Sequence, residues 1–285
     1  MTAAPLIRRP SLGSPRTGRG PLYLTCLAFA TLLVGIALVA PWLAHADPNA
    51  TDLGTALTGP SPGHPLGADA AGRDTLSRLL LGARTSLLGP IAVVVVSTVA
   101  GVAVGVAAGW LGGWVDALLS RTSELLLAFP ALLVAIMLVA LHGPGLTAPV
   151  IALSLAYLPY VSRLARNLTL SERQRPYLAA YRVQGFSNLT ICLRHLIPNI
   201  TPVVLAQSSV NFGYALLDLS ALSYLGLGVP PLTPDWGSMI NDGQTALLQG
   251  YPLSAIAPCA AIVLTVVSFN VVAEHWADRV SRRRV

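Results

Sequence analysis

The sequence predicts an all-α integral membrane protein with six transmembrane helices, and its composition and charge spacing carry this prediction. Of 285 residues, 54% are hydrophobic and 11% are charged, whereas soluble domains carry roughly 25% charged residues. The charges are too few to cover the surface of a soluble protein of this size. The 25 Gly and 22 Pro residues follow no repeating period, which excludes a collagen-like chain.

The spacing of the charges defines the spans. Five windows lack Asp, Glu, Lys and Arg: 20–46, 85–115, 125–162, 195–217 and 243–273. Each is long enough to cross the hydrocarbon core, since about 30 Å takes about 20 helical residues. The third contains the turn signal His142-Gly-Pro-Gly145 and therefore predicts two helices. The six predicted spans are 22–43, 86–110, 119–141, 146–163, 202–224 and 253–275.

Arginine placement predicts the orientation. All eighteen basic residues are Arg, and cytoplasmic loops keep the excess of positive charge. With the N-terminus inside, only Arg73, Arg78 and Arg84 lie outside. The sequence therefore predicts that both termini are cytoplasmic. Because this arrangement accounts for the net charge of +6, we expect the chain to contact membrane lipid and no nucleic acid.

The predicted organisation has five parts. They are an Arg-rich tail (1–21), the first helix (22–43), an outer loop (44–85), a five-helix core that contains the 171–199 loop (86–275) and a basic tail (276–285). Arg8-Arg9 and Ala44-His45-Ala46 would also suit a cleavable signal, but the apolar run of about 20 residues exceeds a signal's usual 7–15 and favours a retained helix. In the outer loop, the amphipathic segment 72–81 either lies at the membrane interface or extends span two.

No catalytic residue, metal site or cofactor site is expected in this chain. Cys26, Cys192 and Cys259 are far apart and form no C-x-x-C pair. The Walker A, H-E-x-x-H and G-x-S-x-G motifs are absent. Any energy from ATP must therefore come from a partner.

Span two carries Ser97, Gly101, Gly105 and Gly109 at a strict four-residue spacing. Residues four apart share one face of a helix. In lipid, such a face of small residues lets another helix backbone approach closely. We expect span two to pack against protein along this face.

Span five carries a polar stripe, formed by Gln207, Asn211, Tyr214 and Asp218. Their spacing places them on one helix face. A carboxylate at membrane depth usually faces a bundle interior or a watery path. The stripe therefore predicts a translocation path, with hydrogen bonding between helices as the alternative.

The 171–199 loop predicts a helix–turn–helix. Pro176 suits a first helical turn, and Gly185 a helix end. A second helical run from Asn188 is expected to stop at Pro198-Asn199. We interpret this Arg-rich element as a docking site for a cytoplasmic partner, with helices lying on the membrane surface as the alternative. A DNA-reading role is disfavoured between two membrane spans.

At this loop the sequence resembles the permease subunits of bacterial ATP-binding-cassette (ABC) importers. Their inner loop reads E-A-A, three residues, Gly, nine residues and, in the peptide branch, a His-Leu-x-Pro-Asn ending. Here Ala179-Ala180-Tyr181 occupies the E-A-A positions, Gly185 the glycine and His195-Leu-Ile-Pro-Asn199 the ending. Ala179 stands where the family has Glu, and Tyr181 where it has Ala.

Further motifs are similar to the second (C-type) permease of dipeptide, oligopeptide and nickel importers. Asp218 stands where those permeases usually have Glu. The resemblance covers about residues 60–275, on these segments: His64-Pro-Leu-Gly-Ala-Asp69, Gly72-Arg-Asp74, Gly82-Ala-Arg-Thr-Ser-Leu87, Gly112-Gly-Trp-Val-Asp116, Leu127-Ala-Phe-Pro130, Leu222-Ser-Tyr-Leu-Gly-Leu-Gly228 and Pro234-Asp-Trp-Gly237.

The resemblance implies a type I ABC importer permease fold in the bacterial cytoplasmic membrane. The implied partners are a homologous B-type permease, one or two ABC ATPases (or a fused one) that bind ATP and Mg, and an extracytoplasmic solute-binding lipoprotein. The solute would be a peptide, or a nickel chelate or haem. The segment 226–252, with Asp235 and Asp242, would help form the outer face. The resemblance assigns ATPase coupling to Ala179, Ala180, Tyr181, Gly185, His195, Pro198 and Asn199.

Three other functions fit the sequence less well. An ion-coupled secondary transporter would need paired intramembrane charges, whereas only Asp218 approaches membrane depth. An intramembrane enzyme would need a second ligand or base near His142. A purely structural membrane subunit would not need the polar stripe.

Overall fold

The computed structural model describes residues 19–43, 47–52, 54–230 and 232–282, and within these ranges it contains helices and no strand. This confirms the all-α class. The tails with Arg8 and Arg9, the Ala44-His45-Ala46 sequence and the last three residues lie outside the described part. The helices are α1 Arg19–Leu43, α2 Thr75–Leu111, α3 Gly113–Leu127, α4 Ala131–His142, α5 Thr147–Arg173, α6 Pro176–Val183, α7 Asn188–Ile191, a π-helical turn Cys192–Leu196, α8 Ile197–Tyr224, α9 Trp236–Leu248 and α10 Leu253–Arg282.

Five helical stretches in the described chain are long and apolar enough to cross a membrane: α1, α2, α5, the run from α7 through α8, and α10. The pair α3 and α4 is a sixth candidate, but it bends by 79°. The sequence predicted one span over 119–141, and the structure divides this stretch into two helices. Phe129 precedes Pro130, and a residue before proline is disfavoured in helical conformation, so α3 ends before it and α4 starts afresh at Ala131.

Helix α2 begins well before the predicted span. Asp74 caps it, since its Oδ2 accepts a hydrogen bond of 2.8 Å from the Ser77 backbone N–H. The helix then continues without a break to Leu111. Of the two alternatives for segment 72–81, the structure therefore has the extension of span two.

The core of the bundle forms where α2 packs on α5. Ser97 is fully buried, and Gly101, Gly105 and Gly109 lie along this contact. A Cβ atom at Gly105 would stand 2.3 Å from the Ser162 carbonyl oxygen. Only glycine allows the two backbones to come this close, which maximises dispersion contacts between helices.

The two ends of α8 define two ends of the bundle. The α6 end holds the 171–199 loop, and the α9 end holds the 54–74 loop and α9. At the α9 end, Trp236 is 1% exposed and its indole N–H donates to the Leu79 carbonyl at 3.0 Å. Asp235 accepts from the Ser86 hydroxyl at 2.7 Å and caps α9. Asp235 is 4% exposed and joins α9 to α2, so its carboxylate adds no charge to the exposed surface of segment 226–252.

Candidate functional site

Leu178 is the buried residue of helix α6. Its side chain is fully buried in an apolar cluster with Ile191, Leu196 and Val106. On the next turn, the Arg182 guanidinium lies 4.9 Å from the centre of the Trp110 ring of α2, a distance at which a cation is attracted to the ring face. The short helix is therefore held in a defined position against α2 and the start of α8.

Gly185 ends α6 in a Schellman motif. The Gly185 N–H donates to the Arg182 carbonyl at 3.0 Å and the Phe186 N–H to the Tyr181 carbonyl at 3.2 Å. Gly185 has φ +82°, a left-handed conformation that glycine adopts at little cost. The rings of Phe186 and Tyr181 then meet edge to face, 5.5 Å apart, which is the hydrophobic contact that accompanies this motif.

Tyr181 ties α6 to the second half of the loop. Its ring stacks on His195 of the π-helical turn, with centroids 3.8 Å apart and planes inclined by 18°. The residue that stands in place of the family's alanine therefore has a packing role within this chain.

The buried carboxylate of Glu172 contacts residues near both ends of the 171–199 loop. Its Oε2 accepts hydrogen bonds from the Tyr177 hydroxyl at 2.8 Å and the Asn199 amide at 2.9 Å, and its Oε1 lies 3.0 Å from Arg175 Nε. Burial, together with the hydrogen bond to Glu172, raises the pKa of the Tyr177 phenol above its usual value. Sequence reasoning missed Glu172 and Tyr177. One feature of the sequence could have indicated Glu172: it is the last acidic residue before the stretch 173–217, which contains no Asp or Glu.

The sequence predicted that the second helical run of the loop stops at Pro198-Asn199, and this is wrong. Instead it passes through the π-helical turn Cys192–Leu196 directly into α8. Pro198 has no N–H to donate to the carbonyl four residues earlier. The π-helical turn Cys192–Leu196, with its wider hydrogen-bond spacing, lies just before Pro198. Pro198 is therefore accommodated in the first turn of α8 and does not end the helix.

The surface that α6 and α7 turn away from the bundle is apolar at its centre and basic at its edge. Ala179 and Ala180 are exposed, Val183 is 90% exposed and Leu189 is 68% exposed. An open cleft of about 470 Å³ beside them is lined by Arg175, Tyr177, Tyr181, Arg194, His195, Pro198 and Asn199. We name Ala179, Ala180, Val183, Leu189 and this cleft the loop surface.

The polar stripe of α8 divides into two parts. Gln207 donates to the Asn211 side-chain oxygen at 3.2 Å, and Asn211 is 4% exposed. Tyr214 is 59% exposed, while Asp218 is half-buried and accepts a 2.8 Å hydrogen bond from Tyr157 of α5. The structure thus brings Gln207 to Asn211 and Asp218 to Tyr157, a partner that the sequence did not suggest.

At the α9 end, four charges form one ionic cluster. Arg73 and Arg78 each contact both Asp69 and Asp242, at N–O distances of 2.8–2.9 Å. Arg78 is 3% exposed and Asp69 is 5% exposed. The cluster joins the 54–74 loop to α9. Asp242 is thereby paired with two arginines of the same chain. Among the described residues, no group of three His, Cys, Asp or Glu side chains could hold a metal ion.

The described chain is a bundle of membrane-length helices with a helical loop packed at one end, as expected for a polytopic membrane protein. Residues 101–285 match the family described as binding-protein-dependent transport system inner membrane component. The chain is 34% identical over 285 aligned positions to the glutathione transport system permease protein GsiD of Escherichia coli O6:K15:H31 (strain 536 / UPEC), which covers 98% of this chain and 94% of the relative. GsiD of Shigella boydii serotype 4 (strain Sb227) matches equally.

Two solved ABC transporters share the fold. An amino acid ABC transporter crystallised with histidines has a TM-score of 0.55 and 17% identity, covering 72% of this chain and 94% of that one. The inward-facing MetNI methionine ABC transporter has a TM-score of 0.55 and 16% identity, covering 74% and 97%. The chain therefore belongs to the binding-protein-dependent transport system inner membrane component family, as a multi-pass permease subunit of an ABC importer.

Proposed function

We propose that the chain forms half of the pore of an ATP-driven importer for peptides or a related small solute. The name of the GsiD relatives, glutathione permease, supports a short peptide as the solute class. A homologous B-type permease would supply the other half. ATP and Mg would be bound by one or two ABC ATPases, or a fused one, and an extracytoplasmic lipoprotein would deliver the solute. This chain would hold no cofactor.

The observation that carries this proposal is the exposed loop surface on α6. Val183, the last residue of α6, is an aliphatic side chain with 90% of its surface exposed. An exposed apolar centre with a polar rim is typical of a protein interface. We assign it to the ATPase, in a helix-in-groove contact, with Ala179, Ala180 and Gly185 at its centre and Tyr181, His195, Pro198 and Asn199 supporting it.

The charge of the loop surface predicts the kind of surface that it prefers on the ATPase. The stretch 173–217 contains no acid, and Glu172 is occupied by Arg175, Tyr177 and Asn199. The loop surface is therefore basic, and we expect acidic side chains around the ATPase groove. This basic loop would lie in the cytoplasm together with both termini, in accordance with the excess of Arg on that side.

Transmission through the bundle follows from how the loop is attached. Leu178 packs α6 against the start of α8. Glu172 of α5 accepts hydrogen bonds from Tyr177 of α6 and Asn199 of α8. A movement of the ATPases would therefore move α5 and α8 as a unit, and with them the polar stripe. That coupling would shift the pore between inward-open and outward-open states.

The test uses two substitutions of almost fully exposed aliphatic residues at opposite ends of the bundle. Val183 is 90% exposed on the loop surface and Leu248 is 89% exposed at the α9 end. Neither Val183→Asp nor Leu248→Asp disturbs the core of the chain. Val183→Asp should reduce co-purification of the ATPase at least tenfold, and Leu248→Asp should leave it unchanged. Equal ATPase recovery with both variants would refute the docking assignment.

A further inference from the structure

We propose that Asp218, with Tyr157, Tyr160 and Tyr214, forms a recognition site for a cationic group of the solute, an ammonium or guanidinium. This inference rests on the proposed function, because it gives a chemical preference to the path that the permease would provide. The site lies between α5 and α8, toward the α9 end of the bundle. It is separate from the loop surface.

The carboxylate is fixed by a single neutral donor. Tyr157, 9% exposed, donates its hydroxyl to Asp218 Oδ2 at 2.8 Å. This bond joins α5 to α8 across 61 positions of sequence. One carboxylate oxygen is thereby oriented, and the other makes no hydrogen bond within the described chain.

Two further tyrosines stand beside the Tyr157–Asp218 pair. The Tyr160 ring lies 6.2 Å from that of Tyr157. Tyr214 is one turn before Asp218 on the same face of α8. Both rings are open to the space beside the bundle, with Tyr160 56% and Tyr214 59% exposed. A carboxylate among tyrosine rings attracts a cation twice, through its charge and through the electron-rich ring faces.

The charge of Asp218 has no counterpart in the described chain. The four most buried carboxylates, Asp69, Asp74, Glu172 and Asp235, each bind a backbone N–H or an arginine. Asp218 has neither. It lies six residues before the end of α8, about 9 Å along the helix. A carboxylate set into the bundle is costly unless a positive group accompanies it, and a passing cationic solute would supply that group.

The site also explains a choice of solute. Free peptides carry an α-ammonium group, whereas N-blocked peptides and simple anions do not. A fixed negative charge in a site of reduced dielectric favours the former and repels the latter. The solute class is therefore one with an exposed ammonium or guanidinium.

The experiment measures the charge preference without knowing the solute. Tyr214→Cys is placed in the full complex in vesicles, and its labelling by a trimethylammonium-ethyl thiosulfonate is compared with that by a sulfonatoethyl thiosulfonate. Mass spectrometry of the peptide containing position 214 separates it from the native cysteines. We expect the labelling rate with the cationic reagent, divided by that with the anionic reagent and normalised to free cysteine, to be about ten. Adding Asp218→Asn should bring this ratio to about one.

A matched control removes a different carboxylate. Asp242 binds two arginines at the α9 end, so Asp242→Asn should leave the ratio high. An unchanged ratio with Asp218→Asn, or no labelling of position 214 by either reagent, overturns the inference. ATPase recovery with Val183→Asp, measured on the same membranes, reports separately on the proposed function.

Discussion

Tyr181 lies flat against His195, with ring centroids 3.8 Å apart, and this contact closes the 171–199 loop on itself. It joins a residue of α6 to a residue of the π-helical turn that leads into α8. Any force on α6 is thus passed to the start of a membrane-length helix.

Tyr181→Ala should loosen α6 without unfolding the bundle. Aromatic pairs contribute about 0.5–1.5 kcal/mol beyond their burial, so amide exchange in α6 should quicken by roughly tenfold. Tyr181→Phe keeps the ring and should exchange like the original chain. Hydrogen–deuterium exchange of the purified protein measures both. Unchanged protection in Tyr181→Ala would show that the stack is not what holds α6.

Gly185→Val should uncouple ATP hydrolysis from transport. At φ +82° a β-branched residue is strained by about 1–2 kcal/mol, and the Schellman motif would open. Gly250 ends α9 in the same motif at φ +89°, so Gly250→Val imposes the same strain at the other end. The ratio of solute moved to ATP hydrolysed should fall in the first variant. An equal fall in both would point to general instability instead.

Gly105→Ala tests the close contact of α2 and α5. The added Cβ would meet the Ser162 carbonyl oxygen at 2.3 Å, so the helices must separate, at a cost of about 1–3 kcal/mol. Gly35 of α1 has open space where a Cβ would stand, and Gly35→Ala should be neutral or slightly stabilising. Thermal unfolding in detergent compares the two. Similar melting temperatures would contradict the packing.

Arg78→Met tests the ionic cluster at the α9 end. Removing Arg78 leaves the buried Asp69 with Arg73 alone, and breaking a buried pair costs about 3 kcal/mol. Arg121 makes an exposed pair with Glu124 on α3, so Arg121→Met should have no measurable effect. Chemical denaturation of both variants measures the difference. A stable Arg78→Met protein would show that Arg78 is not needed to hold α9, and that Arg73, which pairs with both Asp69 and Asp242, is sufficient.

The parts of the molecule that local chemistry dictates were predictable from sequence. Helix α6 begins at Pro176 and ends just before Gly185, as expected. The missing N–H of proline and the conformational freedom of glycine act within one helical turn, so their effect can be predicted from the local sequence. The bend at Pro130 was not predicted, because a charge-free window gives the length of an apolar stretch and not its direction.

The contacts that build the site were beyond sequence reasoning for a different reason. Glu172 meets Asn199 across 27 positions, and Tyr157 meets Asp218 across 61. Such pairs depend on how helices cross, and spacing along one helix carries no information about the neighbouring helix. The stripe on α8 was visible as a pattern, but its partner on α5 was not.

The most direct test of the central claim is photo-crosslinking from position 183 in the intact complex. A benzoylphenylalanine residue replaces Val183 on the loop surface or, as the control, Leu248 at the α9 end. We expect a crosslink from position 183 to the ATPase, and no crosslink to the ATPase from position 248. A crosslink from position 183 to lipid alone, in membranes that still hydrolyse ATP and transport solute, would contradict it.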